Sequence, residues 1–105
     1  MSKRLLAIDA GTTGVTAVVF DLDLRPLARF YREFPQGFPQ PGWVEHDAED
    51  IRAAVDAVLG ELFSSEAGEG IEAIGITNQR ETVFALERSS GRAIAPGIVW
   101  QDRRT

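Results

Sequence analysis

Apolar and polar positions follow two different periods along this chain, and the switches between them mark out its elements. Leu5-Leu6-Ala7-Ile8 is a short apolar run ending at Asp9, the pattern of a buried strand. Gly11-Thr12-Thr13-Gly14 follows as a turn, and Val15 to Phe20, rich in β-branched and aromatic residues, predicts a second strand. Asp and Pro within Asp21 to Pro26 supply a second turn. Leu27 to Phe34 predicts a third strand. One of its faces carries Ala28, Phe30, Arg32 and Phe34, the other Leu27, Arg29, Tyr31 and Glu33. Neither face is purely apolar, which puts this strand at a sheet edge, and two short turns make the three strands an antiparallel meander.

Pro35 to Gly42 holds three prolines and two glycines and reads as a loop. The period then changes to that of a helix. Ile51, Ala54, Val55, Val58, Leu59, Leu62 and Phe63 form one apolar stripe. Asp47 is placed to cap it, Asp50 three residues on approaches a capping box, and Glu49 and Asp50 suit the positive end of the helix dipole. Gly60 falls late in the stripe and weakens it slightly, and Gly68-Glu69-Gly70 ends the helical region. Ile71 to Thr77 predicts a central strand. Thr82 to Leu86 and Ile94 to Trp100 predict a ribbon around Ser89-Ser90-Gly91, with Pro96 making its second arm irregular. The order is βββαβ followed by a ribbon, an α/β chain forming one unit over residues 1–105.

Composition narrows the chemistry. With 105 residues, 44% hydrophobic and 26% charged, the chain is an ordinary globular sequence rather than a disordered one. A net charge of −5 lacks the electrostatic footprint of a nucleic-acid binder. The absence of cysteine excludes disulfides, thiol catalysis and cysteine-ligated zinc. A single histidine, His46, argues against a histidine-rich metal site or a self-contained Ser-His-Asp site, and a single lysine, Lys3, leaves little room for lysine chemistry. No run of 18 apolar residues predicts a membrane span, and Asp9 directly after Ile8 spoils any signal peptide. The expected location is the cytoplasm.

Three segments carry candidate chemistry. In Asp9-Ala10-Gly11-Thr12-Thr13-Gly14 a carboxylate ends a strand and a small, hydroxyl-rich turn follows. Gly11 and Gly14 tolerate positive φ and close approach, exposed turn N–H groups form an anion nest, and Asp9 suits Mg²⁺. A strand follows the turn and no lysine lies in it, so it is neither a Walker A loop nor a dinucleotide fingerprint. The residues alone leave a plain hairpin turn as the alternative. In Gly75-Ile76-Thr77-Asn78-Gln79-Arg80-Glu81-Thr82, six polar residues close a strand where open α/β sheets bind ligands. Arg80 and Glu81 suit vicinal hydroxyls, as donor fork and acceptor, or are simply solvated. In the third segment, Ile98-Val99-Trp100-Gln101-Asp102-Arg103-Arg104, Trp100 suits the carbon side of a polyol or a place in the core, and Arg103 and Arg104 are expected to be solvated. Trp43 and His46 flank the loop-to-helix junction in a structural role.

Taken together, Asp9-x-Gly-Thr-Thr, Gly-Trp-Val-Glu-His-Asp at 42–47, Gly-Ile-Thr-Asn-Gln-Arg-Glu-Thr at 75–82 and Ile-Val-Trp-Gln-Asp-Arg-Arg-Thr at 98–105 resemble the N-terminal portion of the FGGY carbohydrate kinases, nearest to the glycerol-phosphorylating members. The resemblance runs the length of the chain, and the 75–82 stretch is its most specific part. It implies a ribonuclease-H-like, actin-like ATPase fold with ATP held between two such domains. It implies that Asp9, Gly11, Thr12, Thr13 and Gly14 contact ATP phosphates and Mg²⁺, with Asp9 on the metal. It implies that Arg80, Glu81 and Trp100 bind the acceptor, and that the reaction is ATP-dependent phosphorylation of glycerol. A kinase for another polyol or a pentulose and a non-catalytic nucleotide-binding module are the alternatives. Ala10 and Thr16 depart from the family's usual Gln and Arg. Family members run to several hundred residues, so the resemblance also implies that the catalytic Asp base, the adenine pocket and the second domain lie beyond Thr105. The expectation is a partial domain that is silent alone; a fragment with no ligand of its own, self-associating through the surfaces left uncovered, is the remaining alternative.

Overall fold

Inward-facing side chains of the first two strands meet in register, and that match organises the sheet. In the computed structural model, which describes residues 2–104, β1 (Arg4–Ala10) and β2 (Gly14–Asp21) pair antiparallel. Leu6 lies opposite Val19, Ile8 opposite Ala17 and Ala10 opposite Val15. Side chains alternate faces with period two, so all six share one face. β3 (Pro26–Glu33) adds antiparallel to β2 after a turn that the Asp21 carboxylate holds, accepting from the N–H groups of Asp23 and Arg25 at 2.9 and 3.0 Å. The predicted meander and the edge position of its third strand are both present.

The helix α1 (Ala48–Phe63) covers this face, packing on β2 and β3. Ala54, Val58 and Leu62 are buried against Leu6, Val15 and Val19, and Ile51, Val55 and Leu59 flank them. Asp47 caps the helix as expected, its carboxylate accepting from the Glu49 N–H at 2.9 Å. Asp50 does not complete a capping box; its own N–H bonds to the Asp47 carbonyl at 3.1 Å. Phe63 also departs from expectation, being 53% exposed. One residue is a 100° rotation on a helix, so the neighbour of Leu62 turns away from the core. Phe63 lies instead on the 3-10 turn Glu66–Gly68, where a Cβ on Gly68 would fall 2.8 Å from its ring.

β5 (Ile71–Asn78) returns parallel to β1, giving the order β3-β2-β1-β5. It was expected to be central. Among the described residues it is instead the outer strand, exposed along nearly all its length, with Ile76 75% exposed. The Ile74–Ile76 alternation marks a strand built to be covered, but α1 lies over the other end of the sheet.

The predicted ribbon exists only as isolated antiparallel bridges, Val83 with Ile98 and Leu86 with Ala93. Thr82–Leu86 is not a strand. The second arm is irregular around Pro96, which has no N–H to give to a ladder, and only β6 (Gly97–Ile98) is regular. It pairs with β4 (Glu45–His46), which precedes the helix. The molecule measures 51 × 30 × 19 Å with a radius of gyration of 15.9 Å. A compact chain of this length has about 13 Å. The difference goes with apolar surface left open in the C-terminal third, at Ile74, Ile76, Val83, Leu86 and Ile94. Among the described residues no helix is long and apolar enough to cross a membrane.

Candidate ligand site at the ends of β1 and β5

Parallel strands β1 and β5 end side by side, Asp9 beside Thr77 and Ala10 beside Asn78. The edge formed by such strand ends is where open α/β sheets bind ligands. The turn after β1 is closed by the Gly11 N–H on the Gly14 carbonyl at 3.0 Å. Each of the three segments singled out in the sequence reaches this turn. From the end of β5, the Gln79 N–H bonds to the Ala10 carbonyl at 3.0 Å and its side-chain amide to the Gly11 carbonyl at 3.4 Å. From the C-terminal segment, the Trp100 indole N–H donates to the Thr12 hydroxyl at 3.0 Å.

That last bond leaves the Thr12 hydroxyl proton free to be donated onward. The Thr13 hydroxyl lies 3.5 Å from that of Tyr31, at the limit of a hydrogen bond. Trp100 is 52% exposed, so core packing does not account for it. Neither turn glycine uses its tolerance of positive φ. The need for glycine at position 14 is one of space: a Cβ there would lie 2.7 Å from the Arg32 carbonyl and 2.6 Å from the Tyr31 hydroxyl. Among the described residues two non-glycine positions are left-handed, both with φ of 63°: Leu24, in the turn between β2 and β3, and Glu81. A non-glycine residue held in that region is backbone strain of the kind that collects at functional sites.

Arg80 and Glu81 are exposed and form no ion pair among the described residues. The Val83–Ile98 bridge joins their segment to that of Trp100, so Glu81 and Trp100 each stand two residues from it at the same end of the ribbon. Asp9 opens onto the sheet face opposite α1, in a shallow concavity of about 520 Å³ shared with Thr16, Thr77 and Arg29. Arg29, which sequence reading left as an edge-strand side chain, lies 5.6 Å from the Tyr31 ring centroid. No group of three or more His, Asp or Glu side chains converges to hold a metal among the described residues. A lone exposed carboxylate fits a hard cation that keeps most of its waters and takes other ligands from phosphate, the habit of Mg²⁺.

Sequence reading missed two sets of supporting residues. The first is a buried polar chain behind the turn. His46 is 1% exposed, with Nε2 2.6 Å from Gln36 Oε1 and Nδ1 3.1 Å from Gln79 Nε2. The Thr82 hydroxyl donates to Gln79 Oε1 at 2.8 Å, and Phe34 meets the imidazole edge-on at 4.9 Å. Burial pushes His46 below its ordinary pKa and favours the neutral ring. The second set is a clasp. The Asp102 carboxylate accepts from the Val44 N–H at 2.7 Å and from the Arg104 guanidinium at 2.7 Å, and Arg104 also pairs with Glu45 at 2.9 Å and stacks 3.8 Å from the Trp43 ring centroid. Hydrogen bonding to Arg104 holds Asp102 well below the usual carboxylate range. Arg104 is therefore enclosed rather than solvated, and the clasp anchors the segment that carries Trp100. Gln36 gave no signal in sequence, because glutamine has no periodicity of its own; Gln79 lay within the 75–82 segment singled out in the sequence, but nothing there marked it as a partner of His46.

Comparison with known proteins bears on the whole of this chain. Residues 4–105 match the family model described as the FGGY family of carbohydrate kinases, N-terminal domain. The chain is 53% identical over 108 residues to the glycerol kinase of Gluconobacter oxydans and 51% identical over 107 residues to that of Ectopseudomonas mendocina. Each alignment takes in 100% of this chain, and 21% and 22% of those relatives. Among solved structures, Plasmodium falciparum glycerol kinase with ADP superimposes with a TM-score of 0.88 at 30% identity, covering 98% of this chain and 21% of that one. Xylulose kinase from Rhodospirillum rubrum gives a TM-score of 0.87 at 28% identity, covering 97% and 22%. The chain thus spans about one fifth of the length of the relatives it matches.

Proposed function

This chain belongs to the FGGY family of carbohydrate kinases, and from that premise we propose that it carries the phosphate turn and the acceptor side of a site for ATP-dependent phosphotransfer to a hydroxyl of glycerol. The observation that carries the reading is the bond from the Trp100 indole N–H to the Thr12 hydroxyl. It brings the residue suited to a polyol's carbon face against the residue suited to a phosphate oxygen, as transfer between the two ligands requires.

Each side chain then has a task. The N–H groups of the Gly11–Gly14 turn and the Thr12 and Thr13 hydroxyls take phosphate oxygens. Phosphoryl transfer is catalysed mainly by positioning and charge stabilisation, so these donors matter more than any covalent chemistry. Asp9 is the carboxylate that would hold Mg²⁺, directly or through water, and that cation offsets phosphate charge. Arg80 donates to acceptor hydroxyls and Glu81, whose backbone is left-handed, accepts from them. Trp100 covers the carbon side. Glycerol is favoured by the relatives' names, and a pentulose or another polyol is the competing acceptor within the same site.

Amide and indole NMR spectra of the chain test this. Mg-ATP is expected to shift the amides of residues 11–14, and glycerol the Trp100 indole N–H. Replacing Arg80 and Glu81 by Ala is expected to abolish the glycerol response and leave the Mg-ATP response intact. Shifts that miss the turn altogether would refute the assignment, and a response to xylulose but not glycerol would move the acceptor to a pentulose.

A further inference from the structure

The buried chain behind the turn has a single consistent set of donors and acceptors. The Gln36 amide nitrogen lies 3.0 Å from the Thr12 carbonyl and 3.3 Å from the Phe34 carbonyl, so its two hydrogens are used there. Its oxygen, 2.6 Å from His46 Nε2, is then an acceptor, and Nε2 carries the imidazole proton. His46 Nδ1 is bare and accepts from the Gln79 amide nitrogen, which also reaches the Gly11 carbonyl. Gln79 Oε1 is already engaged by Thr82. Flipping either amide would set oxygen against oxygen at the turn. The neutral Nε2–H tautomer of His46 therefore orients both glutamines at once, from a position 1% exposed.

The consequence reaches the turn through peptide planarity. In a trans peptide the C=O of one residue and the N–H of the next point in opposite directions. Gln79 and Gln36 draw the carbonyls of Gly11 and Thr12 toward the buried side. The N–H groups of Thr12 and Thr13 are thereby aimed away from it, where an anion would find them already oriented. Donors held in place beforehand need no reorganisation when the ligand arrives. We propose that His46 is a positioning residue: through Gln36 and Gln79 it sets the two peptide planes whose N–H groups receive phosphate. The inference rests on the reading of that turn as the phosphate site.

The test compares backbone order with anion binding in the chain, in His46→Phe, in Gln36→Leu and in Val58→Ala. Phenylalanine keeps the ring and removes both nitrogens. Val58→Ala weakens a fully buried core position that is not part of the polar chain. The expected result is that ¹⁵N order parameters of Thr12 and Thr13 fall from about 0.85 to below about 0.6 in His46→Phe and Gln36→Leu, and stay rigid in Val58→Ala. Affinity for Mg-pyrophosphate is expected to fall about tenfold in the first two variants, the low end of what orienting partners of a binding site carry. Turn amides that stay rigid in both polar variants would overturn the proposal. So would equal loosening in Val58→Ala, which would mark His46 as core packing alone. If His46→Phe does not fold, Gln36→Leu decides, since it keeps the histidine and removes the amide that joins His46 Nε2 to the Thr12 carbonyl. Order parameters judge the positioning role by themselves. A wild-type turn that is rigid but indifferent to pyrophosphate would refute the phosphate reading instead.

Discussion

Alanine at position 14 separates two explanations of the turn, close backbone approach and conformational freedom. Gly14 has no positive φ, so the substitution meets no backbone strain of that kind. It meets atoms. The new Cβ would lie 2.6 Å from the Tyr31 hydroxyl, 2.7 Å from Tyr31 Cζ and 2.7 Å from the Arg32 carbonyl. Tyr31 is 40% exposed and is able to swing away. The Arg32 carbonyl belongs to the β2–β3 ladder, where Gly14 pairs with Glu33 and Val15 with Arg32, and moving it opens the sheet. Overpacking of this type costs about 1–3 kcal/mol. The loss of chain entropy in the unfolded state returns about 0.4–1 kcal/mol. The difference is about 0–2.6 kcal/mol, and its midpoint of about 1.3 kcal/mol corresponds to a melting point lower by roughly 5–10 °C in a domain of this size. Thermal unfolding followed by circular dichroism reads it directly. Gly75→Ala is the control: nothing lies within 4 Å of its new Cβ, and it is expected to melt at or slightly above wild type. In a Tyr31→Ala background the Gly14→Ala cost is expected to shrink without vanishing, because the carbonyl overlap remains. A Gly14→Ala chain as stable as wild type would refute the packing argument, and a cost that disappears with Tyr31 would assign it to the ring alone.

Leu62→Ala, at a fully buried position, is expected to cost about 2–5 kcal/mol in urea titrations. Phe63→Ala next to it is expected to cost well under half of that, since the ring is 53% exposed, and equal costs would contradict the stripe. His46 makes stability depend on pH. Its folded pKa lies below the ordinary 6.5, so the unfolded chain takes the proton first. Stability is expected to be fully present above about pH 6.5 and to fall as the pH drops toward the folded value. Urea midpoints from pH 8 to 5 check this, and a His46→Phe chain with the same slope would show that another group is responsible. The uncovered outer edge of β5 is expected to drive self-association of the chain, visible as concentration-dependent sedimentation and reduced by Ile76→Lys; a clean monomer at high concentration would contradict it.

Local rules made much of this protein legible in its sequence. Apolar runs and β-branched content located the first two strands, because such side chains suit a pleated, buried surface; that Leu6, Ile8, Val15, Ala17 and Val19 are the ones facing the core was decided by the side on which α1 packs. The 3.6-residue period located Ala54, Val58 and Leu62, and Asp47 was readable as a cap because its partner, the Glu49 N–H, is two residues away. The turn at Gly11–Gly14, the 75–82 stretch and Trp100 stood out as chemistry because their residue types are costly or unusual where strands end. Other features depended on distant parts of the chain. Whether β5 is covered depends on which strands α1 packs against, and Ile74 and Ile76 read alike in either case. Gly14 is required by Tyr31 and Arg32, brought alongside by β3 rather than by sequence proximity. Arg104 is enclosed by Trp43, Glu45 and Asp102, of which two lie about sixty positions away. His46 acquired its role only when Gln36 and Gln79, 10 and 33 residues off, closed around it. Periodicity and capping are short-range properties and can be read along the chain. The orientation of a buried amide is set by partners that share no sequence neighbourhood, so only the folded structure decides it.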